Sequence, residues 1–318
     1  MAYKNLEQEL NESEKWLVEG LEELANSMII PVNISGYHTI KSGTYDVDHD
    51  IIVNVNGRLC IEEGTTLNFK VGKGLYIGKL LEDGGQLCIY GTKSNPVVLQ
   101  AKTSTWKGLS LIHTNKNNVI NFTTIKNARK QYGGGIFTKN SKLLIVDSTI
   151  KQCKATSRGG GMYNLESEVY LDNSIVEENL ANHHGGGIYT QESIIRVDNT
   201  DIIKNMANFR GGGIYNIESE LKMENSNVTE NTSMEDGAGM YNDESNIRIN
   251  KSNITKNSSH MSGGGIYNHK SFLSIGKSNI TKNNAEWYGG GMYNDESTLI
   301  EHYSNDISNN LPDNIREN

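Results

Sequence analysis

Proline, cysteine, long apolar runs and surplus basic charge are all scarce in this chain, and each scarcity excludes something. Three prolines in 318 residues leave no proline-rich linker, and plentiful glycine without a triplet period is not collagen. The three cysteines, Cys60, Cys88 and Cys153, are odd in number, far apart and not at metal-ligand spacing. They read as buried free thiols rather than a disulfide framework. The eight histidines show no paired metal-binding spacing, so neither a metal nor another cofactor is expected. No apolar run approaches the roughly 20 residues that span a bilayer, so no membrane span is expected. The opening residues, MAYKNLEQELNESEKW, contain no apolar export core. As written, the chain reads as cytoplasmic or virion-associated, with a cell-surface or secreted address by an unconventional route as the alternative. Basic charge is short as well, 30 Lys and Arg against 38 Asp and Glu. Residues 5–27 hold seven Glu and one Lys, which is −6 of the net −8. Nothing resembles the basic footprint of a nucleic-acid binder.

What the chain has instead is repetition. GGGIYN recurs with small variations at Gly133, Gly159, Gly185, Gly211, Gly237, Gly263 and Gly289, at an interval of 26 residues each time. Repetition overrides the two-domain expectation that length alone would give. Counting from the first Gly, position 4 is Ile or Met and position 5 is aromatic: Phe137, Tyr163, Tyr189, Tyr215, Tyr241, Tyr267 and Tyr293. Position 9 is Ser, position 16 Ser or Thr, and position 21 Asn in six repeats (Asn179, Asn205, Asn231, Asn257, Asn283 and Asn309), with Cys153 in the other. Positions 11 and 13 are apolar through six repeats, as in Leu221 and Met223.

Short alternating segments separated by Gly and Asn cannot bury an apolar face alone, but stacked copies can. Three successive glycines argue against a helix interior and for a tight corner. The expected fold is an all-β solenoid, a right-handed single-stranded parallel β-helix of about eleven coils and about three sheets. Ile, Leu and Val ladders fill its bore. The recurring Asn and Ser read as structural ladders that satisfy turn backbone from coil to coil.

The rest of the chain falls around these repeats. Residues 1–31 read as an amphipathic helix, with Leu10, Leu17, Leu21, Leu24 and Met28 as its apolar stripe, ended by Pro31. Its expected role is to cap the open first coil, and the rival role is docking to a partner or a second copy. Residues 32–132 read as irregular coils of the same kind, with alternating pairs such as Val53/Val55 and Leu67/Phe69/Val71. Residues 133–314 hold the seven repeats and 315–318 a tail. The seventh repeat degrades, with Glu301 at an apolar position and a one-residue slip near Ile307, as a capping coil should.

At GGGIYN and at Ile-x-x-Asn (Ile254–Asn257, Ile280–Asn283) the chain resembles the GGA[ILV] and FxxN signatures of chlamydial polymorphic outer-membrane protein repeats. More broadly it resembles right-handed β-helix proteins of the pectate-lyase-like superfold, over roughly residues 32–314. That resemblance implies the fold. It leaves function open, because the superfold hosts lyases, hydrolases, epimerases, adhesins and tailspikes. No stretch matches a polysaccharide-lyase catalytic or calcium-binding motif.

Two columns hold the candidate functional residues. Positions 22–26, just before each triple glycine, vary most, and position 26 stacks Arg158, His184, Arg210 and Asp236, a set able to hold a carboxylated sugar and move a proton, or simply a variable solvated loop edge. Tyr163, Tyr189, Tyr215, Tyr241 and Tyr267 read as an outward column, either structural stacking or a platform for sugar rings. The position-8 glutamates (Glu166, Glu192, Glu218, Glu244 and Glu296) read as a solvated acidic edge. Trp106, Trp287 and Tyr288 read as exposed aromatics. The resulting expectation is a non-catalytic structural or binding module, adhesin-like or virion-associated, with polysaccharide or cell-surface glycan as partner. The alternative is a carbohydrate-active enzyme, lyase or hydrolase, on an acidic polysaccharide. A crystal-surface binder would need a flat Thr array, of which Thr229, Thr255 and Thr281 supply only three members.

Overall fold

The computed structural model describes residues 30–318 apart from 79–83 and 303. The expected N-terminal helix lies outside the described residues. The described chain is an all-β, right-handed parallel solenoid of about ten turns. Three long sheets of 12, 11 and 11 strands run its length, every strand pairing in parallel with its copies in adjacent coils.

One coil shows how sequence becomes shape. In the repeat starting at Gly211, strands run Ile214–Ile217, Glu220–Glu224 and Asn227–Thr229, with a further two-residue strand at Thr232–Ser233. Between them the chain turns on residues in the left-handed region: Gly211 (φ 67), Glu218 (φ 47), Asn225 (φ 49) and Glu230 (φ 58). Each of the last three is followed at once by a ladder residue: Ser219, Ser226 or Asn231. So a corner is a left-handed residue that turns the chain, then a small polar side chain that ties the turn to its copies.

The ties are specific. Ser219 Oγ donates to the Ile217 carbonyl at 2.7 Å, while its backbone N–H donates to Ser245 Oγ at 3.1 Å. Asn231 Nδ2 donates to the Ile202 carbonyl at 2.9 Å and to Asn257 Oδ1 at 3.0 Å. Its Oδ1 accepts the backbone N–H of Asn205 at 2.9 Å. Buried backbone that no sheet pairs is thereby satisfied. At the C-terminal end the slip moves this ladder to Asn310, which accepts from Asn283. Asn309, the expected member, takes the left-handed corner instead (φ 57).

The bore is filled as expected, with Ile188, Ile214, Met240 and Ile266 among its fully buried members. Position 6 shares that inward face. Asn216, Asn242, Asn268 and Asn294 are buried there and hydrogen-bond in series at 2.7–2.8 Å. This second asparagine ladder is absent from the expectations above.

The position-8 glutamates are exposed as expected, and they are also the left-handed corners of their coils (φ 45–48). Other expectations are corrected. In the early coils the strands end at Val53 and Phe69, leaving Val55 and Val71 in exposed turns. A fourth, seven-stranded sheet runs through positions 22–23, taken from sequence as variable loop. The last residues, read as a tail, include the strand Ile315–Glu317, which pairs with Met292–Asn294.

The fourth sheet arises because one corner grows. The segment joining the third long sheet to the first spans 48–50, then 70–74, 102–108 and 127–135, and afterwards ten residues per coil, as in 152–161, until the shorter last one, 309–314. The extra chain first becomes a strand at Arg129–Tyr132, which is the edge of the fourth sheet. The solenoid therefore widens along one side over its first coils, and the widening leaves a step.

Candidate functional site

The aromatic column and the variable column before the glycines form one structure. Position 5 points away from the bore, as alternation requires, and its rings stack at the strand spacing. Tyr163–Tyr189 centroids are 4.8 Å apart, Tyr189–Tyr215 5.0 Å, Tyr215–Tyr241 4.9 Å and Tyr241–Tyr267 4.9 Å, all within 10° of parallel. Parallel β pairing at about 4.8 Å imposes this separation, and the rings gain contact without leaving register.

The expected open platform is absent over most of this ladder. Tyr163, Tyr189, Tyr215 and Tyr241 are buried, at 2–6% exposure, and form an apolar cluster outside the bore. Position 26 covers them. The Arg158 guanidinium lies 5.3 Å from the Tyr189 centroid and donates from Nη1 to its phenol oxygen at 3.3 Å. His184 packs on Tyr215 at 4.9 Å, and Arg210 repeats the arginine arrangement on Tyr241 at 5.1 Å and 3.3 Å. Burial pushes the Tyr189, Tyr215 and Tyr241 phenols well above their ordinary range.

Arg158, His184, Arg210 and Asp236 do stack in register: Gly159 N–H donates to the His184 carbonyl, Gly185 N–H to Arg210 and Gly211 N–H to Asp236. Their side chains are mostly engaged. Arg210 Nε sits 3.1 Å from Glu235 Oε2 and 3.3 Å from Asp236 Oδ2, near enough for ion pairing but not aligned for an Nε–H hydrogen bond. Asp236 accepts the Ser262 backbone N–H at 3.1 Å. Burial nonetheless raises its carboxyl above the usual range. His184 is pushed down to about 4, first by burial and then by Arg158, Arg210 and His183. It is therefore a neutral ring at pH 7, held against Tyr215 and Phe209. A general base works best with a pKa near the operating pH, and this imidazole is far below it. Arg158 Nε and His184 Nδ1 have no hydrogen-bond partner among the described residues.

Past Arg210 the cover ends. Asp236 and Ser262 are too short to roof a ring, and Tyr267 and Tyr293 are only partly buried. Here Trp287 (57% exposed) and Tyr288 (49%) stand on the surface. Tyr288 lies 6.4 Å from Tyr293 with Arg316 over its other neighbourhood at 5.3 Å. Trp106, by contrast, is fully buried, stacked on Phe69 at 4.5 Å with Nε1 donating to the Lys126 carbonyl, and is no surface aromatic. The aromatic column itself does not mark this difference between the two ends of the ladder; side-chain length at position 26 is the signal that would have found it.

Among the described residues there is no cluster of His, Cys, Asp and Glu fit to hold a metal ion, and no helix is long and apolar enough to cross a membrane. Cys60, Cys88 and Cys153 are buried free thiols.

Residues 33–146 match a family described as a pectate-lyase-like beta helix domain, and the coils beyond continue the same parallel solenoid. No curated protein matches the chain. Among solved structures the chain is similar to the periplasmic alginate epimerase AlgG, with 12% identity over 83% of this chain and 77% of that one and a TM-score of 0.43. It is also similar to an alginate lyase from Paenibacillus sp. str. FPU-7, with 12% identity, 81% and 92% coverage and a TM-score of 0.34. A third similarity is to PfbA, a surface adhesin of Streptococcus pneumoniae, with 12% identity, 86% and 85% coverage and a TM-score of 0.34.

Proposed function

We propose that the chain is a non-catalytic β-helix binding module that takes a glycan on the uncovered end of its tyrosine ladder. One observation carries this reading: the ladder is roofed from Tyr163 to Tyr241 and opens at Tyr267 and Tyr293, beside exposed Trp287 and Tyr288. Tyr267 is stacked between Tyr241 and Tyr293, so the ladder itself offers ring edges there, and the exposed rings of Trp287 and Tyr288 beside it supply the flat apolar area that suits the C–H faces of sugar rings. The repeating columns elsewhere are consumed by structure, and the His184 imidazole and Asp236 carboxyl are already packed or paired. An adhesin-like surface role follows from such a module, with glycan as partner. The test is calorimetric titration of the full chain with a panel of neutral and acidic oligosaccharides. Binding that W287A and Y288A weaken, with unchanged melting temperature, supports the reading. Binding that both variants leave intact overturns it.

The enzyme reading has one observation of its own, the unpartnered His184 Nδ1 and Arg158 Nε beside Arg210 and Asp236. Turnover of a polyuronate that H184Q abolishes without loss of folding would favour it over binding alone.

A further inference from the structure

The step left by the lengthening corner holds a cavity of about 270 Å³. Four successive segments contribute to it: Gly72 from 70–74, Thr105 and Lys107 from 102–108, Arg129 and Lys130 from 127–135, and Thr156 from the first full-length corner, 152–161. It lies against the free side of Arg129–Tyr132, the edge strand of the fourth sheet, which is tied to the preceding coil by one bridge at Trp106 and Ala128. Its formal charges are all positive. Elsewhere in the early coils a lysine finds an acid in another coil: Lys41 with Glu62, Lys70 with Asp48, Lys102 with Asp46. Lys107, Arg129 and Lys130 form no ion pair among the described residues.

Lys130 is the sharpest case. Its ammonium donates to Ser110 Oγ and sits 5.0 Å from the Phe137 centroid and 5.6 Å from that of Tyr76. Ring faces and a hydroxyl compensate a cation only partly. Burial, and then Lys107, push its pKa down to about 8. Three cations gathered at a concave step repel each other, and an anion seated among them relieves that repulsion.

We propose that this step binds an oxyanion group, carboxylate, sulfate or phosphate, carried by a ligand of about one sugar's size. Lys107 and Arg129 reach it from the exposed rim, the buried Lys130 ammonium on Ser110 adds positive field from behind the lining, and the Thr105 and Thr156 hydroxyls supply neutral hydrogen bonds. The site is separate from the aromatic end of the ladder and does not rest on the function proposed for that end.

Calorimetric titration of the full chain with glucuronate, glucose and sulfate tests it. Glucuronate or sulfate should bind at least about tenfold more tightly than glucose, and added salt should weaken that binding. Glucuronate alone points to a carboxylated sugar, and sulfate alone to a sulfate- or phosphate-type ligand. The K107Q/R129Q double variant changes exposed residues only, so it should keep its melting temperature and lose affinity about tenfold. K130M should lose it further and K130R retain part, while W287A leaves it unchanged. Charged probes that bind no better than glucose, or a double variant that binds like the parent, would overturn the proposal.

Discussion

Arg210 lies over the ring of Tyr241, 5.1 Å from its centroid, and the same guanidinium donates to that ring's phenol oxygen at 3.3 Å. Arg158 bears the same relation to Tyr189 one coil pair earlier. The roof and the ladder are thus one unit, with Arg158, His184 and Arg210, each just before a triple glycine, covering the aromatic of the next coil.

Removing one tile should therefore uncover a ring without disturbing the solenoid. R210A should cost about 1–2 kcal/mol, the scale of a half-desolvated cation–π contact, and frees Asp236 and Glu235 from their shared cation. Tyr241 should become reactive to a tyrosine-selective label while Tyr189, still under Arg158, stays protected. Labelling followed by peptide mapping checks this, and equal labelling of both tyrosines would contradict it.

The inner asparagine ladder has a break that can be repaired. Thr190 stands where its neighbours carry Asn, and Asn164 Nδ2, Thr190 Oγ1 and Asn216 Oδ1 are all buried without partners. From Asn216 onward the series runs unbroken at 2.7–2.8 Å. T190N supplies a donor to Asn216 and an acceptor to Asn164 at nearly the same volume. It should stabilise the chain by about 1–3 kcal/mol, the usual cost of such unsatisfied groups. N242A should destabilise it by a similar amount. Urea unfolding of both variants decides the matter.

Acid should weaken the roof through His184. Its folded pKa of about 4 lies below the ordinary histidine value of 6.5, so the unfolded chain binds the extra proton first. Stability from this group is complete above pH 6.5 and falls as pH drops toward 4. Asp236, whose carboxyl is raised by burial, works in the opposite sense, so the histidine contribution is isolated by comparing the parent with H184F. The parent should lose on the order of 1–2 kcal/mol more than H184F between pH 7 and 4.5. Parallel pH profiles for the two would exclude the effect.

The repeat coils were legible because a solenoid asks the same residue to do the same job every 26 positions. Corner Ser and Asn, bore Ile and triple Gly each had a column of their own. What was not legible comes from neighbours distant in sequence. Tyr189 is buried by Arg158, 31 residues away, and no alternation pattern carries that information. The fourth sheet escaped because strands of two residues, such as Thr232–Ser233, have no period to read. Val55 and Val71 obey alternation and still fall in turns, since the strand ends before them. The Asn309 to Asn310 change needed the exact site of the slip. The likeness to chlamydial repeats stands on GGGIYN and Ile-x-x-Asn alone.

Two residues of one coil share a backbone conformation and should respond to mutation with very different losses. Gly211 and Glu218 both have positive φ, 67 and 47. A Cβ on Gly211 would meet the Ile214 carbonyl oxygen at 2.6 Å and Tyr215 Cβ at 2.7 Å. These are neighbours in the same coil that cannot retreat without moving the strand Ile214–Ile217. G211A therefore adds steric conflict to left-handed strain and should cost about 3–5 kcal/mol. At Glu218 the side chain already points into solvent, so the conformation alone is strained. E218G removes roughly 1 kcal/mol of that strain while adding a similar entropy to the unfolded chain. Its unfolding free energy should stay within about 0.5 kcal/mol of the parent. If G211A proves as mild as E218G, the triple glycine is not required by close packing, and the tight corner assigned to it is wrong.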